Sequence, residues 1–145
     1  MAKTYRLTPA QRIANSVFRT MTRLGIGAHY RQILTARGRK TGALRSTPVD
    51  VMDLAGSQWL VAPYGTSNWV RNVRASGEVF LTRRRHTERF RAEEVTGSAA
   101  VPALRTYISK VRVTRPYFDA TAESSEEELL AEVPEHPVFR LTPPA

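Results

Sequence analysis

The sequence predicts an α+β fold, an antiparallel sheet closed into a small barrel with helices outside it. Three observations support this. Short stretches rich in β-branched and aromatic residues follow one another as hairpins, the connection that antiparallel strands permit and parallel strands do not. Helical patterns fall before, between and after groups of strands without alternating with them, which argues against a doubly wound βαβ sheet. The chain of 145 residues has no internal repeat and no low-complexity linker, so residues 1–145 are expected to form one domain large enough to bury a core.

The elements follow in order. Residues 8–25, "TPAQRIANSVFRTMTRLG", read as an amphipathic helix of that same domain. Thr8 suits the N-cap, Pro9 the first helical position, and Gln11 completes a capping box. Ile13, Val17, Phe18, Met21 and Leu24 share one face, Arg12, Arg19 and Arg23 another, and Gly25 stops the helix. Strands are predicted at 32–36, 44–54 and 58–64, with turns at Gly38–Gly42 and Ala55–Gly56. "SNWVRNVRAS" (67–76) is a helix opened by Ser67 and closed by Gly77, with Trp69, Val70 and Val73 as its apolar stripe. Residues 78–85 and 88–95 form a hairpin around His86 and Thr87. Helices are predicted at 99–112 and at 122–133, where Ser125 is the candidate cap, and a last strand spans 136–144.

Composition narrows the function classes. With 41% hydrophobic and 24% charged residues, plus aromatics, the chain is globular. It has no cysteine, which excludes disulfides and thiol chemistry and fits a reducing compartment. No stretch reaches the roughly 18 apolar residues of a membrane span, and the first thirty residues lack a signal-peptide h-region. A cytoplasmic protein is the expectation. The Arg-faced first helix offers a peripheral contact with an anionic inner membrane face, although surface helices of this kind ordinarily pack on their own domain. The pattern leaves monomer and homodimer equally open.

The net charge of +9 is unevenly placed: residues 1–92 hold 17 Lys and Arg against 4 Asp and Glu, residues 93–145 hold 5 against 9. Arg accounts for 19 of the 22 basic residues, and its planar fork matches carboxylate and phosphate. An anionic partner is indicated for the first two thirds.

Its densest point is "LTARGRKTGALRSTPV" (34–49), where Arg37, Arg39, Lys40 and Arg45 surround Gly38 and Gly42. "GRKTG" is not a P-loop, because Arg39 stands where that motif needs glycine before the lysine. What remains is a Gly-flanked basic turn between two strands, suited to phosphate or carboxylate. A second segment, "VAPYGTSNWVRNVRASG" (61–77), ends a strand and delivers Ser67, Asn68, Trp69, Arg71 and Asn72 into the first turns of a helix, whose free N–H groups favour anions. Two segments can thus converge on one acidic ligand. Residues for hydrolysis are lacking: His29, His86 and His136 have no metal-like spacing, and Glu93 and Glu94 point to opposite faces of a strand. Arg83, Arg84 and Arg85 suit a solvated hairpin end, or phosphate contact if nucleic acid binds. A chain without acid–base machinery either binds, or borrows chemistry from a cofactor.

Together, "LTARGRKTGALRSTPV", "WLVAPYGTSNWVRNVRASG" and "RFRAEEV" resemble the deazaflavin-dependent nitroreductase family, part of the split-β-barrel flavin and deazaflavin oxidoreductases. The two long motifs stand in the family's order over residues 34–77, and a looser likeness extends over 10–142. The resemblance implies an FMN-binding-like antiparallel split barrel with flanking helices, and coenzyme F420, a deazaflavin with a phospholactyl oligoglutamate tail. By motif position, Arg39, Lys40, Thr41 and Arg45 would hold the tail; Ser46, Thr47, Pro48 and Val49 would run along the ring beside Val61, Ala62 and Pro63. Asn68, Trp69, Val70, Arg71 and Asn72 would close the other side. The implied reaction is hydride transfer from the reduced cofactor to a quinone, enone or nitro compound, with no catalytic side chain assigned. Departures from the family pattern, among them Pro63-Tyr64 after the strand, leave Tyr64, Tyr107 and Tyr117 as candidates for the acceptor pocket. The alternatives are FMN as cofactor, a deazaflavin-storage protein without turnover, and a nucleic-acid-binding barrel. The last is disfavoured, because it needs aromatics exposed on a sheet face.

Overall fold

In the computed structural model, residues 30–144 are described. The helix expected over 8–25 lies outside them. Six strands form a closed antiparallel barrel: β1 (Arg31–Arg37), β2 (Leu44–Leu54), β3 (Ser57–Val61), β4 (Glu78–Arg83), β5 (His86–Val95) and β6 (Val138–Thr142), in the spatial order β1-β2-β3-β6-β5-β4. Closure comes from β1 pairing with β4 over Ile33–Thr35. Helix α1 (Asn68–Ser76) joins β3 to β4, and α2 (Val101–Lys110) and α3 (Glu126–Glu132) fill the β5–β6 connection. This is the antiparallel barrel with flanking helices that the hairpin pattern predicts.

Alternation along the strands sorts the core into two bodies. Leu34, Val51, Leu60, Val79, Leu81, Phe139 and Leu141 point into the barrel, where Val70 and Val73 of α1 plug one end. Met52, Trp59, Val61 and Val138, their neighbours in sequence, point outward and are covered by Leu104, Tyr107 and Ile108 of α2 and Leu129 of α3. Strand β3 shows the period of two directly: Trp59 and Val61 face the helices and Leu60 the barrel interior. Both faces of that strand are buried, as its continuous apolar run requires.

Strand β2 changes partner midway. Residues 44–50 pair with β1, and residues 51–54 pair with β3. The chain of β3 leaves the sheet after Val61, so the first half of β2 has no strand on its β3 side. Pro48 sits in that half, where a missing N–H forfeits no ladder bond.

Local signals hold for the helices. Ser125 caps α3 in a full capping box with Glu128, and Gly77 ends α1 in the left-handed region with its N–H on Val73 O at 2.7 Å. The β4–β5 hairpin turns at Arg84–Arg85, not at His86–Thr87. His86 pairs with Arg83, and Arg84 takes a φ of 56°, so the turn is two residues long and starts earlier than residue type suggests. The β2–β3 hairpin uses the expected Ala55–Gly56, and both residues have positive φ, 54° and 77°. Left-handed backbone costs alanine about 1 kcal/mol and suits asparagine, and Asn-Gly is the favoured pair in such two-residue turns. Ala55→Asn is therefore expected to stabilise the fold by about 0.5–1 kcal/mol, read as a higher urea midpoint at unchanged slope; an unchanged or lower midpoint would mean that Ala55 is not strained.

Candidate active site

Where β2 and β3 separate, the structure has a cavity of about 900 Å³. Its walls are the half of β2 with no strand on its β3 side, the end of β3, the basic turn, the start of α1, and one edge of α2 with the segment after it.

The basic turn is tightly built. Gly38 N–H donates to Ala43 O at 2.7 Å, Gly42 N–H to Gly38 O at 2.9 Å, and Arg37 Nη1 to Gly42 O at 3.0 Å. A Cβ on Gly38 would lie 2.9 Å from Ala43 O, a backbone atom that cannot yield, so only glycine fits. Asn72 ties this turn to α1. Its Oδ1 accepts from both the backbone N–H of Arg39 (3.2 Å) and the Arg39 Nη1 (2.9 Å), and Asn72 is 4% exposed. A buried side chain that accepts twice from one residue positions that residue. Lys40 and Arg45 border the same end of the cavity with no hydrogen-bond or ion-pair partner among the described residues.

Of the sequence-predicted residues, Arg39, Lys40, Thr41, Arg45, Ser46, Thr47, Pro48, Val49, Val61, Pro63, Tyr64, Asn68, Trp69, Asn72 and Tyr107 line this one cavity. Four do not. Ala62 and Val70 point into the barrel core, Arg71 is exposed outside the lining, and Tyr117 stands behind Tyr64 in an edge-to-face contact at 4.9 Å.

At the end of the cavity opposite Lys40, only Tyr107 was foreseen. Arg31 and Asp50, directly paired across β1 and β2, form an ion pair of 2.9 Å, Nε to Oδ1, and both line the wall. Burial works against the Arg31 charge, but the hydrogen bond and charge of Asp50 together outweigh it and hold its pKa above the ordinary value. Tyr107, Val113 and Thr114 complete that end. Burial pushes the Tyr107 phenol well above the usual value near 10, the Asp50 charge pushes the same way, and Thr114 and Arg31 pull back only in part. The phenol therefore stays protonated across the working pH range. Counting back from the basic turn would have set Arg31 opposite Asp50; nothing in the sequence marked Thr114 or Val113, which lie in an irregular segment. Ser67 Oγ is buried beside the cavity without a partner, although the helix position would let it cap α1. His86 and His136 contact Glu88 and Glu132, and no cluster of metal-ligating side chains exists among the described residues. No helix among them is long and apolar enough to cross a membrane.

Comparison with known proteins supplies the family. The family model described as F420H2-dependent quinone reductase matches residues 10–136. The chain belongs to that family. It is accordingly an F420H2-dependent reductase of split-barrel fold. No curated protein matches it. Among solved structures, a protein described as a domain-swapped dimer shares 16% identity at a TM-score of 0.60, over 93% of this chain and 100% of that one. An F420H2-dependent reductase shares 21% at 0.50, over 80% and 100%. A FAD-binding protein from Mesorhizobium loti shares 13% at 0.53, over 90% of each. At these identities the likeness is one of fold.

The Asn72 anchor is testable in solution. Asn72→Leu removes the acceptor for two bonds from Arg39, one of them charged, worth about 1.5 kcal/mol or more. Hydrogen exchange at the Arg39 amide is expected to accelerate about tenfold or more, with the barrel amides of β4 and β5 little changed. An unaltered Arg39 amide would show that the turn holds itself.

Proposed function

We propose that the reductase binds F420 in the cavity between β2 and β3 and passes its hydride to a small activated acceptor, a quinone, enone or nitro compound, at the Tyr107 end. The observation that carries this reading is the polarity of the cavity: unpartnered cations at one end, apolar walls in the middle, and a neutralised polar cluster at the other.

The residues present fit the cofactor. Lys40 and Arg45 meet the phosphate and carboxylates of the tail, with Arg39 held beside them by Asn72. Thr41, Ser46 and Thr47 add hydroxyl donors along the path from the turn. Pro48, Val49, Val61, Pro63 and Trp69 offer flat apolar surface for a ring, and Ala62 and Val70 back that surface from the core. The unpartnered Ser67 hydroxyl and the free N–H groups at the start of α1 suit the polar edge of a ring, an orphaned buried donor that a ligand satisfies. Reduced F420 supplies a hydride when bound. The protein's part is to orient two planes and to keep water out. Tyr64, supported by Tyr117, and the exposed Val113 form an apolar rim through which an acceptor enters. Tyr107, kept neutral, places a hydroxyl rather than a phenolate at the site of transfer. FMN, with one phosphate and no glutamates, would leave most of the basic turn without a partner.

Lys40→Ala and Arg45→Ala are each expected to weaken F420 binding by about 1.5 kcal/mol or more, about tenfold in Kd, as followed by cofactor fluorescence. Thermal stability should hardly move, because both side chains are exposed. Unchanged affinity in the double variant would mean that the tail lies elsewhere.

A further inference from the structure

Among the described residues, Asp50 is the one carboxylate that lines the cavity. Its Oδ1 takes the Arg31 Nε, whereas Oδ2 has no hydrogen-bond partner among the described residues, and the side chain is 9% exposed. An ionised carboxylate oxygen can only accept. The pair is neutral overall, yet the oxygen it leaves without a partner lies on the lining of the cavity. The opposite end, with Lys40 and Arg45, is positive. An ordinary cross-strand ion pair on a barrel surface would face water; this one faces the cavity, beside Tyr107 and Thr114.

We propose that Asp50 is a specificity-determining residue: held by Arg31 at the inner end of the cavity, it favours neutral acceptors that carry a hydrogen-bond donor and rejects acceptors that carry a negative charge there. A donor on the acceptor satisfies Oδ2, and an anion meets a desolvated carboxylate, the kind of repulsive element from which specificity is built. Arg31 holds Asp50 in place through its Nε. The inference rests on the reading of the cavity as the reductase site.

The test uses three naphthoquinones of nearly the same shape. Menadione is neutral and lacks a donor, its amino analogue is neutral with a donor, and its hydroxy analogue is an anion at neutral pH. Each is titrated against protein loaded with oxidised F420, where no turnover occurs, and followed by quenching of tryptophan fluorescence; F420 affinity is measured beforehand as a separate step. Relative to menadione, the wild-type protein should prefer the amino over the hydroxy compound by about tenfold or more. Asp50→Asn should reduce that preference about tenfold, and Asp50→Glu, which keeps the charge, should retain the wild-type ranking. Steady-state kcat/KM ratios for the same compounds should follow the affinities. An amino-to-hydroxy ratio unchanged in Asp50→Asn, or a uniform weakening of all three compounds, would overturn the proposal and leave Asp50 a structural partner of Arg31. Failure of F420 to bind would instead overturn the proposed function, and the charge preference would still be read from the same three compounds on the protein alone.

Discussion

The change of partner along β2 is the constraint from which the site follows. Its first half belongs to β1 and its second to β3, and the sheet still closes because β3 pairs onward with β6 and β4 returns to β1. A fully zipped barrel of this size would be filled by side chains. Here the seam beside residues 44–50 stays open, and the end of the barrel beneath it is sealed by Val70 and Val73 of α1. One device therefore makes the cavity, frees Pro48 from the ladder, and brings the start of a helix against the basic turn. Asn72 then joins helix and turn, so that the cationic end of the cavity is set by the same helix that plugs the core.

Much of this was legible in the sequence, for physical reasons that can be named. The β-branched and aromatic strand stretches and the glycine-punctuated hairpins reported an antiparallel sheet, and Ser125 and Gly77 marked their helix ends correctly. The two motif segments identified most of the cavity lining, because a glycine-flanked turn and a helix start gather basic side chains and free N–H groups. Individual directions were less legible. Ala62 and Val70 neighbour lining residues yet point into the core, a matter of strand and helix phase that a motif does not encode. The β4–β5 turn was displaced because Arg84 adopts a backbone conformation that residue type does not announce.

At the polar end of the cavity, only Tyr107 was named from the sequence. Arg31 and Asp50 are each unremarkable in isolation; only the register of the β1–β2 hairpin makes them a pair, and only the open seam makes that pair face a cavity. Tyr107 and Thr114 arrive from a helix and an irregular segment far along the chain, through packing that no local pattern reveals. The result is a cavity with exposed cations at one end and a neutral ion pair beside Tyr107 at the other. Folding cost constrains the second end more than the first. Lys40 and Arg45 stay solvated, whereas Asp50 is mostly buried and depends on Arg31.

The most direct measurement compares intact F420 with the same deazaflavin lacking its phospholactyl glutamate tail, titrated against the wild-type reductase under identical salt. If the cationic end exists for the tail, the intact cofactor binds at least about tenfold more tightly, and the gap narrows as salt rises. Equal affinity for the two, insensitive to salt, would contradict the account, because the ring alone would then carry binding and the basic turn would have no part in it.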